Sequence, residues 1–204
     1  MALIIGLDEC GLGALAGPVV TAAVVMPEEL KIPGVKDSKK IGLEGERIRL
    51  AKRIKEEAEF WVIAESSVEH IDEAGIKRCQ MACLRSCALL SLELFPDGKV
   101  IVDGKETIPK VPWRKQQAII KADQKIHAVS AASIIAKVYR DRLMVDLWCE
   151  YPHYGWKKNA GYPTRDHKTS LSKFGVTPHH RKSYAPVAKI LKRDSGRMNE
   201  GGTK

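Results

Sequence analysis

Short apolar runs alternate with amphipathic segments along the first 150 residues, and this pattern predicts an α/β fold. Residues 3–7 and 18–26 contain almost no polar side chains, which is typical of strands covered on both faces. Further strands are predicted at residues 60–64, 99–102 and 117–120. Because strands and helices alternate in this part of the chain, we expect a central sheet and a mostly helical C-terminal third.

Several segments show the helical period. Residues 43–59 place four apolar side chains on one stripe: Ile48, Ala51, Ile54 and Ala58. A second segment starts after the capping residue Ser67, is interrupted at Gly75 and ends near residue 94. A third covers residues 129–149, with an inner side formed by Ala132, Ile135, Ala136, Tyr139 and Leu143. Two short helices are predicted near residues 164–174 and 185–191.

The predicted organisation has three parts. Residues 1–150 form the main domain, and residues 151–191 form a Gly-, Pro- and aromatic-rich basic loop followed by helices. Residues 192–204 have no apolar period and are predicted to be a disordered tail. No run of about 18 apolar residues is present, and the apolar start is too short for a signal peptide. We therefore expect a cytoplasmic protein without membrane association.

The charge balance favours a polyanionic partner. The 204 residues include 34 Lys and Arg against 25 Asp and Glu, which gives a net charge of +9. Such a surface attracts nucleic acid because bound phosphates release condensed counterions, although a generic solubility surface would look the same. The five cysteines are an odd number, which argues against a disulfide framework. Cys79, Cys83 and Cys87 share one helical face, where close packing is favoured over a soft-metal site.

Four acidic residues lie at or just beyond the ends of predicted strands: Asp8, Glu9, Asp103 and Asp123. In open α/β sheets this edge binds ligands. If the four carboxylates converge they require a cation, and oxygen ligands favour Mg²⁺ or Mn²⁺. Each acid also has a simpler explanation alone: a solvated strand end, a turn at Asp103, or a helix cap at Asp123.

Six ordered motifs resemble the type 2 ribonuclease H family, RNase HII. They are GLDECGLGALAGPVV, DSKK from Asp37, VDG from Val102, KAD with SAASIIAKVYRDRLM from Ser130, GYPTRDH from Gly161, and PHHRKSYAPV from Pro178. The similarity extends over residues 3–188 in the family's order. It implies an RNase H-like fold, with a central mixed sheet flanked by helices and a helical C-terminal region that closes over the substrate.

The resemblance also implies a reaction. A family member would hydrolyse the RNA strand of RNA/DNA hybrids and cut duplex DNA at the 5′ side of an embedded ribonucleotide, leaving 3′-hydroxyl and 5′-phosphate ends. The catalytic quartet would be Asp8, Glu9, Asp103 and Asp123, holding two Mg²⁺ or Mn²⁺ ions. We expect a monomer that works in DNA replication and repair.

Family positions also indicate the substrate-binding residues: Gly11, Leu12, Gly13, Lys39, Ser133, Lys137, Arg140 and Tyr162. Tyr162 would pack on the sugar at the junction between ribose and deoxyribose. Leu12 departs from the family's Gly-Arg-Gly loop, and Ala14 stands where Pro is usual. Because an isobutyl group cannot replace a planar guanidinium, we expect weaker recognition of a single ribonucleotide. His180 and Arg181 match family positions without an assigned role.

Two alternatives remain open at this level. One is a nucleic-acid-binding module of the same fold with little or no turnover, which Leu12 and Ala14 slightly favour. The other is a related two-metal nuclease that acts on DNA.

Overall fold

The computed structural model describes residues 2–36, 38 and 41–200, with the side chains of residues 194 and 196–200 left out. Five strands form one mixed sheet: β1 (Leu3–Cys10), β2 (Val19–Pro27), β3 (Phe60–Ser66), β4 (Lys99–Asp103) and β5 (Gln116–Ile119). All five strands were predicted from their apolar runs, and their bounds differ by a few residues at most.

The strand order is β3-β2-β1-β4-β5. β2 pairs antiparallel with both β1 and β3, whereas β1, β4 and β5 run parallel. Since Leu7 pairs with Val102, the next residues, Asp8 and Asp103, arrive together at one edge of the sheet. The topology therefore places the C-terminal ends of β1, β4 and β5 side by side.

Seven helices are present in the described part of the chain: α1 (Glu44–Glu57), α2 (Val68–Ala74), α3 (Ile76–Leu94), α4 (His127–Glu150), α5 (Trp156–Asn159), α6 (Arg165–Phe174) and α7 (Ala185–Glu200). The predicted interruption at Gly75 is confirmed, because this residue has a φ of 85° and separates α2 from α3. Ser67 caps α2 by accepting a hydrogen bond from the His70 N–H. None of the described helices combines the length and apolar character needed to cross a bilayer.

Each face of the sheet is covered by its own core. On one face, α1 and α4 pack over alternate strand residues such as Val20, Val24 and Ile101. On the other, α3 covers Ile5, Ala23 and Val102. This two-sided burial explains why the strands contain few polar residues.

β1 and α4 approach each other unusually closely. An added Cβ on Gly6 would lie 2.2 Å from the carbonyl carbon of Ala128 and 2.4 Å from the amide nitrogen of Val129. Only glycine permits this contact between two backbones. The close approach fixes the N-terminal half of α4 over the end of β1.

Two predicted core positions are wrong. Ile48 is 51% exposed and Tyr139 is 36% exposed, whereas their helices bury Leu50, Arg140 and Met144 instead. The buried apolar stripe on α1 is narrow. Beyond Ala136, the buried side of α4 faces the C-terminal region. Periodicity alone does not reveal which neighbour a long helix meets along its length.

The three helical cysteines are buried in the core. Burial raises the pKa of Cys83 to about 11 and that of Cys87 to about 12. The thiol of Cys79 donates to the His70 carbonyl at 3.3 Å. These protonated thiols pack as small apolar groups.

The C-terminal region forms a separate cluster around Trp156, Tyr154 and Leu171, which also buries Leu15 and Ala16 from the loop after β1. Helix α7 continues to Glu200 and so includes residues 192–200, which the sequence assigned to the tail. Residues 201–204 lie outside the described residues. The contact through Leu15 and Ala16 brings residues from both ends of the sequence to the same edge of the sheet.

Candidate active-site cleft

A cleft of about 420 Å³ opens at the C-terminal edge of β1 and β4. Three of the four predicted acids line it: Asp8, Glu9 and Asp103. Its other lining residues are Cys10, Gly11, Leu12, Gly13, Ser38, Ser133, Lys137 and Tyr162. Residues separated by more than 150 positions in the chain therefore face one solvent-accessible space.

The fourth acid, Asp123, is buried and is not among the residues that line this cleft. It lies in a 3₁₀ turn after β5 and lines a second cavity with Ser130. The amide of the preceding residue, Ala122, donates to Asp103 Oδ1 at 2.8 Å. Asp123 thus lies one residue from a direct contact of Asp103, at the same edge of the sheet.

Negative charge is concentrated around Asp8. This carboxyl group is only 7% exposed. Burial, together with the charges of Glu9 and Asp103, raises the pKa of Asp8 to about 8. An ionised Asp8 therefore requires a compensating positive charge.

Neighbouring groups orient each of the three carboxylates in the cleft. The amide of Gln80 on α3 donates to Glu9 Oε1 at 2.9 Å. Ser133 on α4 hydrogen-bonds to Asp8. Its oxygen also contacts the hydroxyl of Ser38 at 2.8 Å, so Ser38 donates when Ser133 donates to Asp8. These contacts come from two helices and one loop packed around the sheet edge.

The donor set fits a hard divalent cation. It offers carboxylate and hydroxyl oxygens, and the buried charge at Asp8 is stabilised by a cation. Among the described residues, no group of three or more His, Cys, Asp or Glu side chains is placed to hold a metal ion by itself. Such a partial site is typical of Mg²⁺, which often keeps several waters and completes its shell with substrate phosphate oxygens.

A buried arginine packs against the glycine loop (Gly11–Gly13) that follows β1. Arg140 is fully buried and donates to the carbonyls of Pro18, Ala160 and Ala16 at 2.8 to 3.0 Å. Gly11 has a φ of 95°, and a Cβ there would lie 2.2 Å from Arg140 Nε. The loop backbone can follow this path only because residue 11 is glycine.

This position of Arg140 differs from the phosphate contact that its motif suggested. All three guanidinium nitrogens contact backbone oxygens in the structure, so a phosphate contact requires the side chain to move. The charge instead lies 5.5 Å from the centre of the Tyr162 ring. Arg140 therefore links the glycine loop to the segment that carries Tyr162.

The remaining predicted substrate-binding residues are distributed as follows. Ser133, Lys137 and Tyr162 line the cleft together with the loop from Gly11 to Gly13. Lys137 Nζ lies 2.5 Å from Asp141 Oδ1, one helical turn further along α4. Lys39 lies outside the described residues.

Three residues of the site were missed by sequence reasoning. Gln80 and Ser38 orient carboxylates, and Arg181 supports the glycine loop by donating to the carbonyls of Gly17 and Leu12. Ser38 lies inside the DSKK motif, and Gln80 is a polar residue among the mostly apolar buried residues of α3. Arg181 carried a motif signal but no signal for its role.

Comparison with known sequences gives a consistent result. The family model described as Ribonuclease HII matches residues 5–187. Ribonuclease HII of Cupriavidus metallidurans is 46% identical over 190 residues, covering 92% of this chain and 82% of the relative. Ribonuclease HII of Coxiella burnetii is 43% identical over 188 residues, covering 92% and 91%.

Solved structures show the same fold. RNase HII in the PCNA:RNase HII complex from Archaeoglobus fulgidus has a TM-score of 0.76 and 30% identity, with 93% of this chain and 96% of that chain covered. Ribonuclease H2 from Pyrococcus horikoshii has a TM-score of 0.71 and 27% identity, covering 94% and 98%. Bst-RNase HIII in complex with Mn²⁺, at 17% identity, shares the fold with a TM-score of 0.75, covering 96% and 71%. The RNase H-like fold that the sequence predicted is confirmed.

Proposed function

Because this chain belongs to the ribonuclease HII family of endonucleases, we propose that it cleaves RNA in two duplex contexts. The substrates are the RNA strand of RNA/DNA hybrids and ribonucleotides embedded in duplex DNA. Cleavage at the 5′ side of the ribonucleotide leaves a 3′-hydroxyl and a 5′-phosphate. The net charge of +9 supports a duplex substrate through contacts with its phosphates.

One observation carries this proposal. Asp8, Glu9 and Asp103 line the same cleft as the loop from Gly11 to Gly13 and the Tyr162 ring. Acids suited to phosphodiester hydrolysis and groups suited to contact a sugar therefore face a single substrate.

We assign metal binding to Asp8, Glu9, Asp103 and Asp123. When bound, Mg²⁺ or Mn²⁺ ions activate water and stabilise the leaving oxygen. The protein's own residues prepare this site. Gln80 orients Glu9, and the Ala122 amide orients Asp103. The Mn²⁺ in the solved Bst-RNase HIII complex belongs to a protein that shares this fold, which supports the choice of a divalent metal.

We assign recognition of the ribose to the residues that line the cleft with these acids. Tyr162 is half-buried and can pack on the sugar, while the backbone of Gly11 and Gly13 can approach the 2′-hydroxyl. Ser133, Lys137 and Lys39 are assigned to the phosphates nearby. Arg140, which donates to the carbonyls of Ala160 and Ala16, is assigned an indirect role.

The experiment compares two DNA duplexes, one with a single ribonucleotide and one with four consecutive ribonucleotides, in Mg²⁺ and then in Mn²⁺. We expect cleavage of both, with the four-ribonucleotide duplex favoured. Asp8→Asn should lower the rate about a thousandfold, equivalent to about 4 kcal/mol of transition-state stabilisation. The matched control is Asp97→Asn, an exposed acid just before the start of β4, which should leave the rate unchanged.

Two results would contradict the proposal. Binding of the duplexes without cleavage in either metal would indicate a binding module instead. Cutting of the DNA strand, detected by labelling each strand separately, would indicate a nuclease with a different substrate.

A further inference from the structure

Two histidines are fully buried behind the cleft, and they contact each other directly. His167 on α6 and His180 in the following loop are both 0% exposed. Their Nε2 atoms are 3.1 Å apart. Trp156 Nε1 also donates to His167 Nε2 at 3.1 Å. The proposed reaction uses neither histidine, and both are costly to bury unless their hydrogen bonds are satisfied.

The hydrogen-bond partners determine where the protons lie. His180 Nδ1 accepts from the Thr177 N–H at 3.1 Å, so His180 carries its proton on Nε2. His167 Nδ1 lies 3.0 Å from the Tyr162 carbonyl, which can only accept, so His167 carries its proton on Nδ1. His167 Nε2 is then an acceptor for both Trp156 and His180. All four ring nitrogens are satisfied with both rings neutral.

The electrostatic surroundings maintain this neutral state. Burial lowers the pKa of His180 to about 3, and the neighbouring His167 and His179 act in the same direction. Burial also lowers the pKa of His167. The hydrogen-bond directions are therefore fixed throughout the neutral pH range.

The chain of hydrogen bonds ends at a residue that lines the cleft. The Tyr162 carbonyl accepts from His167 Nδ1 and from the Thr164 amide at 2.8 Å. The segment before it is constrained, because Ala160 has a φ of 46°, a conformation that L-residues rarely adopt. Tyr162 is thus held through its backbone carbonyl while the residue lines the cleft.

The segment that carries His180 also contacts the loop after β1. His180 forms an isolated β-bridge with Ala16. The next residue, Arg181, donates its amide to the Leu15 carbonyl at 2.8 Å and its guanidinium to the Leu12 carbonyl at 3.0 Å. The PHHRKSY motif therefore contacts the loop after β1 directly and reaches Tyr162 through His167.

We propose that His167 and His180 are positioning residues, which set the placement of the Tyr162 ring relative to the glycine loop. This inference rests on the proposed function, because it assigns the two histidines to ribose recognition. It gives a role to motif residues that touch neither the substrate nor the carboxylates.

The test uses a matched pair of variants in the full chain. In His167→Asn, the side-chain amide replaces Nδ1 and keeps a donor for the Tyr162 carbonyl. In His167→Gln, the amide replaces Nε2, so the donor to Tyr162 is lost and the contacts with Trp156 and His180 are kept. We expect kcat/KM on the single-ribonucleotide duplex to be about 10-fold lower for the Gln variant than for the Asn variant.

The same pair is then measured in a Tyr162→Ala background, which retains the carbonyl and removes the ring. The difference between Asn and Gln should vanish there, because the ring is what the histidines position. Equal effects in both backgrounds would overturn the inference, since a general loss of stability does not depend on the ring. A Tyr162→Ala variant as active as the wild type would overturn it as well.

A second measurement does not depend on activity or on the folding of variants. Long-range ¹H–¹⁵N spectra of the wild type should show His167 as the Nδ1–H tautomer and His180 as the Nε2–H tautomer at pH 7. A cationic His180, or the opposite tautomers, would overturn this inference and leave the proposed function standing. If the wild type cleaves neither duplex, the proposed function fails and the inference fails with it.

Discussion

Leu12 is the residue at which this chain departs most clearly from the family's ribose-sensing loop. Its side chain is half-buried against the small apolar cluster of Val19, Ile71 and Cys79, while its carbonyl accepts from Arg181 and Tyr184. The backbone of the loop is therefore anchored whichever side chain residue 12 carries. The departure affects the chemistry offered to the substrate more than the path of the loop.

We expect Leu12→Arg to raise cleavage at a single ribonucleotide about 10-fold relative to the four-ribonucleotide duplex, which corresponds to about 1.4 kcal/mol. A guanidinium is unfavourable among apolar side chains, so its head should turn into the cleft and donate to the substrate. Leu12→Lys is the control, because it adds the charge without the planar donor group. Rates on both duplexes are measured under identical metal conditions, and equal changes on the two would contradict this explanation.

Single residues differ in how far the sequence could predict their roles. Asp8, Glu9 and Asp103 were identified because acids at strand ends carry a chemical signal of their own. Arg140 and Arg181 showed only as basic residues within motifs. Two contacts of Arg140 and three of Arg181 are with carbonyls more than 100 positions away in the chain. A buried arginine cannot be distinguished from a phosphate-binding one until the fold is known.

Among the elements, α4 and β1 have the greatest influence on the cleft. α4 carries Ser133 and Lys137, and β1 carries Asp8 and Glu9. Their relative position depends on the contact at Gly6. The sequence predicted both elements but not this contact, because a glycine inside a strand indicates several structures equally well.

Gly6→Ala should therefore destabilise the protein by about 3 kcal/mol, since the new methyl group meets backbone atoms that cannot rotate away. Displacing α4 should also lower activity by separating Ser133 from Asp8. The control is Gly45→Ala in the first turn of α1, where nothing lies within 4 Å of the added Cβ. It should be neutral or stabilise by about 0.5 kcal/mol. Urea unfolding curves give both values, and an unchanged midpoint for Gly6→Ala would show that the two elements can separate at little cost.

Across the whole molecule, stability and function make opposite demands on the cleft. A chain with a net charge of +9 nevertheless gathers acids at one sheet edge and buries Asp8 among them. The arrangement persists because packing on both faces of the sheet and the C-terminal cluster hold the strands in place. An ionised carboxylate at Asp8 therefore destabilises the folded state when no cation is bound.

This conflict predicts how stability changes with pH. The pKa of Asp8 is about 8 in the folded protein against an ordinary value of 3.8, so the folded state retains a proton that the unfolded state has released. The stabilisation that this proton contributes to the folded state is fully present below pH 4 and is lost as the pH rises toward 8. Asp8→Asn does not titrate. Without metal, its stability advantage over the wild type should therefore grow by about 3.5 kcal/mol between pH 5 and pH 8.

The difference between the two proteins reports Asp8 together with its interactions with Glu9 and Asp103. The buried histidines titrate equally in both proteins, so their contributions cancel. Urea unfolding in EDTA at several pH values provides the measurement. Added Mg²⁺ should stabilise the wild type more than Asp8→Asn at pH 8, since binding to the folded state favours the ionised carboxylate. Parallel pH curves for the two proteins would mean that the carboxyl group of Asp8 reaches enough water, or enough positive charge, to ionise in the cleft without a bound cation.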